Sequence, residues 1–106
     1  MATAVTEGVR EGGGGTAVER LEVAPNPTQD RVSVRWAARS SGRGTYTVYS
    51  VSGRILRAGM VDLAQQEVVW DGRDRSGVSV GPGVFFLRVE EDHGRVLGTV
   101  KVVRTQ

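Results

Sequence analysis

From Leu21 to Arg104, apolar side chains recur at alternate positions. Turn-forming residues interrupt the alternation about every eight to twelve positions. Successive side chains of a strand point to opposite faces, so the pattern fits strands with one dry face and one wet one. Val32, Val34 and Trp36 alternate with Arg31, Ser33 and Arg35. Tyr46 and Val48 share one face of the next segment, and Thr45, Thr47 and Tyr49 the other. Phe85, Leu87 and Val89 point one way between Val84 and Glu90, and Val100 and Val102 do so between Val96 and Arg104. No stretch holds a helical period long enough to compete. The spacing predicts an all-β, antiparallel sandwich of about seven strands over residues 21–106, with these alternating residues as its core.

Turn signals divide the strands. Pro25-Asn26-Pro27 ends a short strand at Leu21–Val23, because two prolines flanking an Asn cannot lie inside a central strand and make a rigid corner instead. Ser40 to Gly44 reads as a loop, and Ser52-Gly53 as the turn into a return strand from Arg54 to Leu63. Ile55 and Arg57 are expected on one face of that strand, Leu56 and Ala58 on the other, with a bulge or bend at Gly59. Ala64-Gln65-Gln66 is a connection, Glu67 to Trp70 a short strand, Asp71 to Gly83 a long polar turn and Asp92-His93-Gly94 a hairpin tip. Residues 1–20, with Gly12 to Gly15 at their centre, form a Gly-rich linker or arm. It is either a tether or, through Thr16-Ala17-Val18, a strand donated to a neighbour.

With 106 residues the chain is one domain. It has no Cys, which excludes a disulfide framework, a thiolate metal site and a Cys nucleophile. The net charge is +2, and all the cations except Lys101 are Arg dispersed along the chain, so no nucleic-acid footprint is expected. No run of eighteen apolar residues exists to span a membrane. The opening residues lack a basic and then apolar signal pattern, so any export signal is expected outside this chain.

The polar residues do not assemble a reaction centre. Asp71 and Asp74 offer oxygen ligands for Ca²⁺, but such a site takes about six to eight oxygens and no full ligand ladder follows. The competing reading is turn chemistry: carboxylates accepting backbone N–H groups, with Gly72 and Gly77 supplying special φ. His93 is the only His and sits at a hairpin tip, without the partners a triad or a metal site needs. Glu90, Glu91 and Asp92 alternate faces rather than converge, and no Lys-Ser/Thr follows the glycines to make a phosphate loop. No catalytic, cofactor-binding or metal-binding residues are therefore expected, and the chain reads as a non-enzyme. Trp36, Trp70, Tyr46, Phe85 and Phe86 suit either a carbohydrate platform or a core in which Trp36, Tyr46 and Phe85 replace a disulfide. Phe86 lies opposite Phe85 in facing, and with Tyr49 and Val103 it forms a candidate partner patch on an outer face.

Several blocks resemble known modules. Trp70-Asp71-Gly72-Arg73-Asp74, then Gly77, Val80 and Gly83-Val84-Phe85-Phe86-Leu87-Arg88-Val89, resembles the immunoglobulin-like domains related to the flagellar hook-capping protein FlgD. Val23-Ala24-Pro25-Asn26-Pro27-Thr28, the hairpin Val48 to Gly53-Arg54, and Thr99-Val100-Lys101-Val102-Val103-Arg104 resemble the type A C-terminal sorting domains of type IX secretion. Ser50, Gly81-Pro82 and Ala24 depart from those patterns. The resemblance implies an immunoglobulin-like sandwich acting as a non-catalytic C-terminal module of an exported bacterial protein, for sorting or cell-surface attachment. It implies a location at the surface or outside the cell, reached through the periplasm, and protein partners: secretion machinery or neighbouring domains. The alternatives are a FlgD-like assembly scaffold or filament subunit that self-associates through edge strands, and a carbohydrate-binding accessory domain.

Overall fold

A computed structural model describes residues 21–37 and 40–105. The linker or arm expected at residues 1–20, with its Gly12–Gly15 run, lies outside the described residues. Among those described, seven strands form: β1 (Leu21–Ala24), β2 (Val32–Trp36), β3 (Arg43–Ser50), β4 (Ile55–Asp62), β5 (Glu67–Trp70), β6 (Gly83–Glu91) and β7 (Val96–Arg104). They make a three-stranded sheet, β1-β2-β5, and a four-stranded sheet, β4-β3-β6-β7. Every pairing between strands is antiparallel. The expected sandwich is therefore present with its seven strands.

The alternation sets which residues face inward. Val32, Val34 and Trp36 are buried on β2, and Phe85, Leu87 and Val89 on β6, while Val100 and Val102 close the core from β7. Tyr46 and Val48 complete it from β3. Each of the ten residues expected inside is inside. Trp70 joins them with no exposed surface, its ring edge-on to Phe85 at a centroid distance of 5.7 Å and an interplanar angle of 69°.

Three turns share one geometry. At Ser50–Arg54, Asp74–Val78 and Glu91–Arg95 the first residue's N–H bonds the fifth residue's C=O, and the fourth residue, a glycine, bonds back to the first. The glycines Gly53, Gly77 and Gly94 have φ of 91°, 85° and 95°. This is the three-residue hairpin loop in which a type I turn is followed by a left-handed residue, where glycine carries no Cβ penalty.

The structure corrects the sequence reading in the β3–β4 hairpin. Gly44 belongs to β3, not to a loop: a Cβ there would lie 2.3 Å from the Glu90 carbonyl oxygen, so only glycine permits the β3–β6 approach. The bulge sits at Leu56, not at Gly59, because Val48 pairs with Arg57 and Tyr49 with Ile55. The extra residue places Ile55 and Arg57 on opposite faces. Gly59 is small for another reason: its inner side receives the Tyr46 ring, whose Cε1 would be 2.6 Å from an added Cβ. Leu63 leaves the strand and opens a turn of 3₁₀ helix, Leu63–Gln65, capped by the Asp62 carboxylate accepting from the Ala64 N–H at 3.1 Å.

Two consequences are measurable. Trp36→Ala should destabilise the domain by about 3–5 kcal/mol, as expected for removing a buried large aromatic, read as a lower midpoint in urea. Gly44→Ala should cost about 1–3 kcal/mol through forced displacement of β6, although Ala lowers the conformational entropy of the unfolded chain. An unchanged midpoint for either would mean that the residue is not enclosed as described.

Candidate partner-binding surface

The motif residues sit at four places in the chain, and the fold brings three of these together. After β1, Pro25-Asn26-Pro27 carries the chain off the three-stranded sheet and alongside β7 of the other sheet. Proline has no N–H to give a ladder, so pairing passes to the Asn26 side chain. Its Nδ2 donates to the Lys101 carbonyl at 3.2 Å, and its Oδ1 accepts the Val103 N–H at 2.9 Å. The main chain then takes over: the Thr28 N–H bonds the Val103 carbonyl and the Thr105 N–H bonds the Thr28 carbonyl, both at 2.8 Å. Thr28 thus bridges to Arg104 in parallel.

Arg104 is the centre of this region. It is a buried cation, 7% exposed, and none of the ion pairs among the described residues involves it. Instead Nε donates to the Gly81 carbonyl at 3.2 Å, and Nη1 donates to the Asp30 carbonyl. Its guanidinium lies 5.8 Å from the centre of the Trp70 ring, within cation–π range. Gly72, with φ 80°, packs beneath it; a Cβ there would fall 2.2 Å from Nη1. Segments 25–30, 70–83 and 101–105 therefore meet around one side chain.

The polar turn after β5 is organised by its carboxylates. Asp71 Oδ1 accepts the Arg73 N–H at 3.0 Å and pairs with Arg57 Nη1 at 3.1 Å. Asp74 Oδ1 accepts the N–H groups of Ser76 and Val78 at 2.8 and 3.0 Å. Both carboxylates act as turn acceptors, the second of the two sequence readings. Trp70 Nε1 donates to the Arg73 carbonyl at 2.9 Å, and the Val80 N–H to the Gly72 carbonyl at 3.0 Å. Gly83, with φ 147°, starts β6 under the Phe85 ring. Gly53 and Arg54 stand apart from Arg104. They border an open cleft with Asp74, Arg75 and Ser76.

The outer face of the four-stranded sheet holds Tyr49, Phe86 and Val103. Phe86 is flanked by Tyr49 on β3 and Lys101 on β7. Tyr49 is flanked on its other side by Ile55. Val103 pairs with Val84 in the next row. Ile55 and Val84 are exposed, and the other apolar members are half-buried. Arg88 bounds the stripe: its guanidinium is 5.1 Å from the Tyr49 ring centre, it bonds the Tyr49 hydroxyl, and Nε lies 3.0 Å from Glu90 Oε2. Trp36, Tyr46, Trp70 and Phe85 all lie in the core, so of the six aromatic residues only Tyr49 and Phe86 lie on the outer sheet face.

Sequence reasoning missed the roles of Arg104, Thr28 and the Asn26 amide. Each acts across more than seventy residues of chain, a separation that periodicity does not register. A charged residue ending an alternating strand on its inward parity was the signal available for Arg104.

No family model and no curated protein matches the chain. Solved structures do. PorZ, described as an essential bacterial surface component of the type IX secretion system of Porphyromonas gingivalis, is similar over 79% of this chain and 11% of its own, at a TM-score of 0.55 and 24% identity. Dimeric latent PorU from the same organism is similar over 87% of this chain and 10% of its own, at a TM-score of 0.60 and 20% identity. The likeness is one of fold. The chain spans about a tenth of each of those proteins.

Arg104→Ala should lower stability by roughly 2–3 kcal/mol, the scale of hydrogen bonds to a charged donor. Arg104→Lys should recover less than half of it, since an ammonium cannot reproduce the planar fork. Denaturant midpoints for the three proteins check this; full rescue by Lys would reduce Arg104 to a simple charge. Asp71→Ala should cost about 1 kcal/mol for its turn hydrogen bond, with a melting temperature indifferent to millimolar Ca²⁺ or chelator.

Proposed function

We propose that this chain is a non-catalytic sorting or surface-attachment module of an exported bacterial protein, read by protein components of a type IX secretion system. The observation that carries the reading is the fold it shares with domain-sized parts of PorZ and PorU, the first described as a surface component of that system. The ordered match of Pro25-Asn26-Pro27, Gly53-Arg54 and Lys101-Val102-Val103-Arg104 to sorting domains supports the same reading. In this reading the domain works folded, at the cell surface or outside it. The outer sheet face around Tyr49, Phe86 and Val103 is the docking patch, and the Arg104 region keeps β7 in place so that the patch has a fixed shape.

A second reading, an assembly scaffold that uses edge strands, is favoured by β4, a long edge strand with exposed Ile55 and Met60.

The test is export. All 106 residues fused to the C-terminus of a periplasm-targeted reporter should carry it to the surface or medium in a bacterium with a compatible type IX system. Deleting Thr99 to Gln106 removes most of β7, the Asn26 and Thr28 pairing and Arg104, so export should fail. An intact fusion held in the periplasm, while an established sorting domain exports the same reporter, would reject sorting and put the scaffold reading first.

A further inference from the structure

The edges of this sandwich are unequal. β1 and β5 have four residues each, and β7 is covered from Lys101 onward by Asn26 and Thr28. β4 has eight residues and stands at the end of the four-stranded sheet. Its open backbone positions follow from one hydrogen bond. The Leu63 N–H donates to the Gly42 carbonyl at 3.0 Å. Antiparallel partners alternate between bonded and non-bonded pairs. With Val61 opposite Gly44, Gly59 opposite Tyr46 and Arg57 opposite Val48, these three turn their N–H and C=O toward β3, while Asp62, Met60 and Ala58 turn theirs away.

The chain itself already uses the first position on this edge. At the bulge, the Leu56 carbonyl accepts the Arg75 N–H at 2.9 Å, and Arg75 Nη2 reaches the Ile55 carbonyl at 3.4 Å. Beyond that one-residue cap, no strand among the described residues pairs with the edge from Ala58 to Asp62. A cleft lies at each end of it. The first, about 630 Å³, is bordered by Arg54, Ile55, Leu56, Arg75 and Ser76. The second, about 460 Å³, is bordered by Arg43 and Met60. Arg54 and Arg75 are exposed, and the nearby Asp74 carboxylate is engaged by two backbone N–H groups.

We infer that β4 accepts an extended peptide segment of a partner protein as an added antiparallel strand, with acidic residues at the segment's C-terminal end over Arg54 and Arg75. Main-chain bonds from Ala58 and Met60 supply register, as in strand addition to other sheet edges. The cationic end supplies direction, because antiparallel addition places the segment's C-terminus beside the start of β4. About seven residues, near 3.3 Å each, cover the strand. This surface is an edge, distinct from the outer-face patch proposed for sorting, and the inference does not depend on export.

The probe is a fluorescein-labelled peptide, Thr-Val-Thr-Val-Thr-Glu-Glu, titrated with the full chain by anisotropy, beside the same peptide ending in Lys-Lys. The Glu-ended peptide should bind, and the Lys-ended one at least about tenfold more weakly. Arg54→Glu with Arg75→Glu should cost the Glu-ended peptide about tenfold, the effect of two screened surface pairs. Ala58→Pro deletes an outward N–H at an edge position, where proline is tolerated, and should abolish binding. If that variant fails to fold by circular dichroism, a peptide N-methylated at alternate residues must lose binding to the unaltered chain. Equal binding of both peptides, binding indifferent to proline or N-methylation, or no binding at millimolar chain overturns the inference. So does sedimentation showing that the chain dimerises and Ala58→Pro makes it monomeric, which assigns the edge to a second copy.

Discussion

The buried guanidinium of Arg104 is the contact on which the closure of this sandwich turns. Taking an unpaired cation out of water costs several kcal/mol even after relaxation. Arg104 offsets that cost through two carbonyls and the face of Trp70 rather than through a carboxylate. Charge-assisted hydrogen bonds contribute about 1.5–3 kcal/mol each, and a desolvated cation–π contact about 2 kcal/mol. The cation itself is close to balance, and the loss on truncation comes from the Asp30 and Gly81 carbonyls left without the donor that Arg104 supplies. What it adds is position: Asp30, Gly81, Trp70 and Gly72 each have one place relative to β7. Lysine, with a point charge and no planar face, cannot hold all four.

Arg104 depends in turn on how the N-terminal strand changes sheets. Pro25 and Pro27 remove two backbone donors at the crossing, and the Asn26 amide replaces them with one donor and one acceptor. A sheet edge is thereby paired by a side chain, until Thr28 resumes the ladder. The same crossing brings the Asp30 carbonyl to Arg104. A sequence element that looks like a strand breaker therefore protects the edge of the opposite sheet.

Local patterns in the chain reached the local features. Period-two alternation located the strands and their inward residues, because side-chain facing in a strand is set by parity alone. Gly53, Gly77 and Gly94 marked turns correctly, because positive φ is a local requirement. Where packing between distant segments decides, local pattern failed. Gly44 looked like a loop and is a strand residue under Glu90. Gly59 looked like a bulge and is a seat for the Tyr46 ring, while the bulge belongs to Leu56, which carries no glycine signal. Trp70 read equally well as platform or core until the turn folded its Nε1 onto the Arg73 carbonyl. For the candidate surface, parity placed Tyr49, Phe86 and Val103 on one face, but the cover that Arg88 gives Tyr49 and the open positions of β4 required the register.

The motif residues divide between those that close the sandwich and those that it displays, and this bears on what the resemblance means. Trp70, Gly72 and Phe85 are buried, Asn26 is spent on β7, and Asp71 and Asp74 are spent on turns. Such residues specify how the sandwich closes and offer little to a partner. Phe86, Tyr49, Val84 and Ile55 on the outer face, and the β4 edge with Arg54 and Arg75 beside it, offer apolar area, open backbone groups and charge. Tyr49, Val84, Phe86 and Arg54 lie within the resembling blocks as well, whereas Ile55, Arg75 and the β4 edge do not. A shared motif of this kind transmits a frame, whereas the side chains and edge that the frame displays can differ from one carrier of the motif to another. Specificity in this chain therefore has to be sought on the outer face and along β4, where a substitution changes what is presented without disturbing the closure around Arg104.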